Sequence, residues 1–110
     1  MELVQAAKFN RVVGNVFEKL ASSFPLAIQL DASAAGFEVV GGYNTIEGEQ
    51  IHVPPSEDEL FFGGCVHWLI EEGYVRVSKS WEVQFRGAVL TQKAMALTNL
   101  EPMVLKRGAY

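Results

Sequence analysis

A chain of 110 residues with 49% hydrophobic residues and only 20% charged ones has the size of one domain and the composition of a folded one, which excludes a charge-rich disordered tail protein. Folding at this length buries roughly 60–70% of the unfolded surface, enough for a core without staples. The single cysteine, Cys65, excludes an internal disulfide and fits a reducing compartment, while the net charge of −4 argues mildly against a general nucleic-acid binder.

Residues 3–22 form an amphipathic pattern, with Ala6, Phe9, Val12, Val13, Val16, Phe17 and Leu20 on one helical face. Lys8, Arg11, Asn15, Glu18 and Lys19 take the other face, and Phe24-Pro25 stops the helix. The first eleven residues hold no uninterrupted apolar stretch of signal-peptide type, and nothing approaches the ~20 apolar residues of a membrane helix. The expected location is the cytoplasm, with no membrane partner.

Leu26, Ile28 and Leu30 alternate as in a short strand over 26–30. Residues 31–35 read either as a short helix capped by Asp31 or as a loop. Residues 37–40 suit a strand, Gly41, Gly42 and Asn44 a turn, and residues 46–53 the hairpin partner. Segment 31–53 is thus an expected insertion or hairpin.

Pro54 and Pro55 break the chain before Ser56, which with Glu59 matches the capping box S-x-x-E. Glu57, Asp58 and Glu59 complement the positive end of a helix dipole, so a helix is expected over 57–72, closed by Gly73. Residues 74–77 form a strand, 78–80 a tight turn, and 81–85 a second strand with Trp81, Val83 and Phe85 on one side. Gly87 permits a bend. Thr91 caps a last helix, Pro102 ends it, and residues 103–110 form a tail with apolar Met103, Val104 and Leu105.

Charge is unevenly placed. Nine acids and no Lys or Arg fall between Asp31 and Glu72, which leaves four acids and all nine bases elsewhere, a balance of +5. Such a division either creates two faces of opposite potential or decorates an ordinary solvated surface.

The stretch Trp68-Leu69-Ile70-Glu71-Glu72-Gly73-Tyr74-Val75, followed by Val83-Gln84-Phe85 and Leu90-Thr91-Gln92-Lys93-Ala94, resembles winged-helix domains. The resemblance covers residues 56–100, and helix 3–22 by position only. It implies an α+β, winged-helix-like fold with a two-stranded wing. In many members the capped helix reads DNA and the wing touches its backbone. The chain departs from the pattern in the long, Gly-rich segment 31–53 and in Ala94, where Gly is frequent.

Base-edge readout needs Arg, Lys, Asn, Gln or Ser on the helix entering the major groove. The outward arc of 57–72 offers Leu60, Gly63, Gly64, His67 and Glu71, and its first turn is triply acidic. Direct readout by this helix is therefore not expected. Arg76, Lys79, Arg86 and Lys93 instead offer a basic wing for phosphate or a minor groove, or are scattered bases on a solvated hairpin. Two adjacent glycines in a helix interior cost about 0.5–1 kcal/mol each, which points to close approach by another backbone: residues 31–50, or a second molecule. The alternative is a kink. Phe61, Phe62, Cys65, Val66, Trp68, Leu69 and Ile70 form the expected core arc.

His52, His67 and Cys65 fall short of a zinc set, and Cys65 and His67, two apart on a helix, face different ways. Phosphate-loop, dinucleotide and nucleophile-elbow motifs do not occur. No catalytic residue, metal site, cofactor or small-molecule substrate is expected. The leading expectation is a protein-interaction domain, homodimeric or an adaptor, with its interface at Gly63, Gly64, His67 and Glu71. The alternative is a DNA-binding regulator using Arg76, Lys79, Arg86 and Lys93.

Overall fold

The computed structural model describes residues 5–46 and 48–98. The expected tail, its Pro102 stop and the first residues of the expected N-terminal helix lie outside them.

Helix α1 spans Ala6–Ser23 and buries Val12, Val16 and Leu20, with Phe9, Val13 and Phe17 half-buried beside them. The apolar face read from the sequence is the face that packs. Phe24 leaves the helix in an extended conformation, and the Phe24–Pro25 peptide is cis. Strand β1 is Ile28–Leu30, shorter than the alternation suggested. Asp31 then caps a 3₁₀ turn over Ala32–Ala35, accepting the Ser33 amide and hydroxyl, so the helical alternative holds for this segment.

The middle third differs from expectation. Residues 37–40 are not a strand, because the Val40 and Gly41 amides are drawn to the Glu59 carboxylate and cannot join a ladder. Strand β2 is Gly42–Ile46 and β3 is Glu49–Val53, paired from Gly42↔Val53 to Ile46↔Glu49. The expected turn at 41–44 is therefore strand from Gly42 on, and the reversal falls by Gly48, whose φ of 83° suits glycine. These two strands form a sheet of their own, here called the arm.

Helix α2 spans Glu57–Glu71 with the complete capping box. It ends in a Schellman motif: Gly73 N donates to Ile70 O at 3.1 Å and Tyr74 N to Leu69 O at 2.9 Å, with Gly73 at φ 83°.

Strands β4 (Val75–Arg76), β5 (Lys79–Ser80) and β6 (Phe85–Leu90) follow. Strand β6 is shared: β1 pairs along one side, and β4 and β5 pair with it as a hairpin, here called the wing, all antiparallel. The expected turn at 78–80 is mostly strand. The expected strand at 81–85 is instead the tip, where Trp81 N donates to Gln84 O at 2.8 Å and Glu82 and Val83 make the reversal. The alternation of Trp81 and Val83 ends there, and only Phe85 is buried. Gly87 bends the hairpin from inside β6, at φ 67°, with Ser78 packed against its missing side chain.

Thr91 caps α3 (Gln92–Thr98), accepting from Ala94 N at 3.3 Å, and its hydroxyl also donates to Gly73 O at 2.6 Å. Ala94 is fully buried. The core joins α1, α2, the sheet and α3 around Phe62, Phe85, Leu20, Leu30, Leu69 and Leu90. Among the described residues the architecture is α+β, with three α-helices, a four-stranded antiparallel sheet and the two-stranded arm. No helix among the described residues is long and apolar enough to cross a membrane.

Candidate interaction surfaces

The glycine face of α2 divides into two sides. The helix is unbroken through both glycines, so no kink forms. Gly63 is buried under the wing tip: a Cβ there would collide with the Glu82 carbonyl oxygen and reach within 3.3 Å of Val83 Cα. The close backbone expected at this position is thus the chain's own wing, neither residues 31–50 nor a second molecule. His67 is on the same side. Its Nε2 lies 2.8 Å from Trp81 O, and its ring meets Phe85 edge-on at 4.9 Å. Gly63 and His67 are therefore internal supports of the wing rather than a free interface.

Gly64 points elsewhere. Among the described residues outside its own helix backbone and chain neighbours, nothing lies within 4 Å of a Cβ built on it. It opens a notch of about 310 Å³ between α1 and α2, lined with Phe9, Phe61, Cys65 and Trp68. Trp68 is 43% exposed, which corrects its assignment to the core, and Leu60 nearby is equally exposed. Phe61 and Ile70 are only half-buried, while Glu59 and Gly63 are buried in their place. The reason is the wing, which covers the Gly63 side of α2 and leaves the Trp68 side open. Trp68 keeps its orientation through edge contact with Phe9 at 5.3 Å and a tilted contact with Tyr74 at 6.2 Å. Glu71 is exposed at the far end of the helix.

The four basic residues separate as well. Lys79 and Arg86 sit directly opposite one another on β5 and β6. Both approach the half-exposed Trp81 ring, with Lys79 Nζ 4.9 Å and Arg86 Cζ 5.6 Å from its centroid. Arg76 is exposed on β4, opposite Val89. Lys93 secures a helix end instead. It donates to Glu72 O at 2.7 Å, caps the C-terminus of α2 and lies 4.5 Å from the Tyr74 ring centroid. The wing cluster is thus Lys79, Trp81 and Arg86. Trp81 was legible only as a strand residue, since its role depends on the turn being at 82–83.

A groove of about 460 Å³ separates the wing tip from the base of the arm, bordered by Gly41, His52, Pro55, Trp81 and Gln84. Glu59 holds that base. Its Oε1 accepts from Val40 N at 3.1 Å, Gly41 N at 2.9 Å and Ser56 N at 3.0 Å. Burial pushes its pKa up, but these three amides and the Ser56 hydroxyl outweigh it, and the carboxyl stays below its ordinary range. Asp58 also does more than complement the helix dipole. It pairs with Lys8 Nζ at 2.8 Å, joining α2 to α1.

Cys65 is buried, and burial pushes its thiol up to about 11 against a smaller opposing effect of Lys8. Such a thiol is a poor nucleophile. Among the described residues no three His, Cys, Asp or Glu side chains gather into a metal-binding group. No family model matches the chain, and neither a curated protein nor a solved structure matches it.

Proposed function

We propose that this chain is a non-enzymatic, winged-helix-like protein-interaction domain that receives an apolar side chain of its partner, a second copy or another protein, in the Gly64 notch. The observation that carries this reading is Gly64 itself. A glycine in a helix interior costs about 0.5–1 kcal/mol relative to alanine. Gly63 offsets that cost by admitting the wing, whereas Gly64 admits no other segment among the described residues. The exposed Trp68 beside it is of the residue type most enriched at interface centres, and exposed Leu60 adds apolar surface next to it. The winged-helix aspect is supported by the Schellman corner at Gly73, the wing hairpin and the Thr91-capped helix that follows it.

Gly64→Leu tests the reading, because the open space lets the helix form while the notch is filled. Loss of partner retention or self-association, with an unchanged circular dichroism spectrum, is the expected result. Unaltered association overturns it.

A further inference from the structure

We propose that the arm of a second copy docks on the wing, with Glu49 of that copy between Lys79 and Arg86 and its Ile51 on Trp81. This surface is separate from the Gly64 notch and does not depend on it.

Three features converge. Lys79 and Arg86 are like charges directly across a strand pair, an arrangement that is destabilising by itself. Among the described residues no carboxylate lies within ion-pair distance of either, and Lys8–Asp58 is the ion pair formed. A carboxylate brought between the two cations would turn that repulsion into a shared ion pair.

The arm carries such a carboxylate. Residues two apart on a strand share a face. Glu49 and Ile51 share a face of β3, and both are exposed, Ile51 to 40%. Arg86 stands opposite Lys79, and the Trp81 ring in the adjoining tip, exposed to 41%, lies 4.9 Å from Lys79 Nζ and 5.6 Å from Arg86 Cζ, so cations and indole form one cluster. Acid and aliphatic on one face of β3 meet the cation pair and the indole of the wing cluster.

Charge and geometry select the occupant. Residues 31–72 hold nine acids and no Lys or Arg, so an arm that offers Glu49 brings no cation of its own to the basic wing cluster. The chain's own Glu49 does not serve. The groove brings His52, near the base of the arm, beside the wing tip, and Glu49 is three residues farther out, roughly 10 Å along the strand. The arm of a second copy is not held at that distance by the chain, and two-fold symmetry makes the proposed contact reciprocal.

Sedimentation equilibrium of the full chain tests this with three variants: Glu49→Arg, the pair Lys79→Glu with Arg86→Glu, and all three changes together. All three positions are exposed, so folding is retained, as circular dichroism will verify. The expected result is a reversible wild-type dimer, weakened about tenfold or more by either charge reversal and restored by the triple change. A monomeric wild type, or dimers indifferent to both reversals, overturns the proposal. So does a Lys79→Glu/Arg86→Glu variant that keeps the wild-type mass but loses binding to random duplex DNA, since the cations then serve phosphate. If Gly64→Leu abolishes the dimer while the charge reversals do not, the notch reading stands and the arm–wing contact falls. The opposite pattern removes the notch as a site of self-association and leaves the arm–wing contact standing.

Discussion

Glu59 Oε1 accepts the amide hydrogen of Gly41 at 2.9 Å, tying the first turn of α2 to a backbone eighteen residues upstream. One carboxylate thereby completes a capping box and fixes the root of the arm.

Replacing Glu59 with Gln tests that bond. The amide oxygen of Gln is a weaker acceptor than the carboxylate for the three amides that converge on Oε1. A loss of about 1–3 kcal/mol is expected in urea unfolding at pH 7. The pH dependence has a definite sign. The folded-state pKa is below the ordinary value of 4.5, so the ionised group stabilises the fold above that pH. That contribution fades as pH falls through the folded pKa, and the wild-type advantage over Glu59→Gln should shrink with it. Hydrogen exchange at Val40 and Gly41 should accelerate in the variant.

The adjacent glycines should respond in opposite directions to alanine. Gly63→Ala drives a methyl into the Glu82 carbonyl and should destabilise by about 1–3 kcal/mol through overpacking. Gly64→Ala meets open space and should stabilise α2 by about 0.5–1 kcal/mol. Chemical denaturation of the two variants side by side decides this, and equal effects would contradict the placement of the wing.

His67→Ala removes both the bond to Trp81 O and the edge contact with Phe85. A loss of about 1–3 kcal/mol is expected, with the carbonyl left short of a partner. In a Trp68→Phe background, Trp81 emission should change while far-ultraviolet circular dichroism stays constant.

Cys65 should be slow to react. With its thiol pushed up to about 11, alkylation at pH 8 is expected to be far slower than for a free thiol. The rate should rise steeply in denaturant. Rapid labelling of the folded chain would show that the floor of the notch opens.

Elements with local signals were legible in the sequence. The face of α1 repeats at helical spacing, Ser56 and Glu59 announce α2, Gly73 closes it, and Thr91 opens α3. The arm and the wing tip were displaced because distant groups decide them. Val40 and Gly41 look like strand and turn until the Glu59 carboxylate claims their amides. Trp81 and Val83 alternate like a strand, yet the reversal falls between Trp81 and Gln84, and the tip folds onto Gly63. The glycine pair correctly signalled a close backbone, but a helical wheel cannot say which glycine faces the chain's own wing. The basic residues were visible as a set, and only the register shows that Lys79 and Arg86 form a pair while Lys93 closes a helix.

The sharing of β6 also governs when this molecule can exist during its synthesis. Ile28 pairs with Ala88 and Leu30 with Phe85, so β1 has no sheet to join until the strand over Phe85–Leu90 has been made. Helix α1, the arm and α2 all leave the ribosome first, with the apolar faces that β6 will later cover still exposed to water. The closing of a loop of this length is an entropic barrier that no local propensity lowers. Emergence of the strand Phe85–Leu90 from the ribosome is therefore the step that turns an aggregation-prone chain into one able to fold.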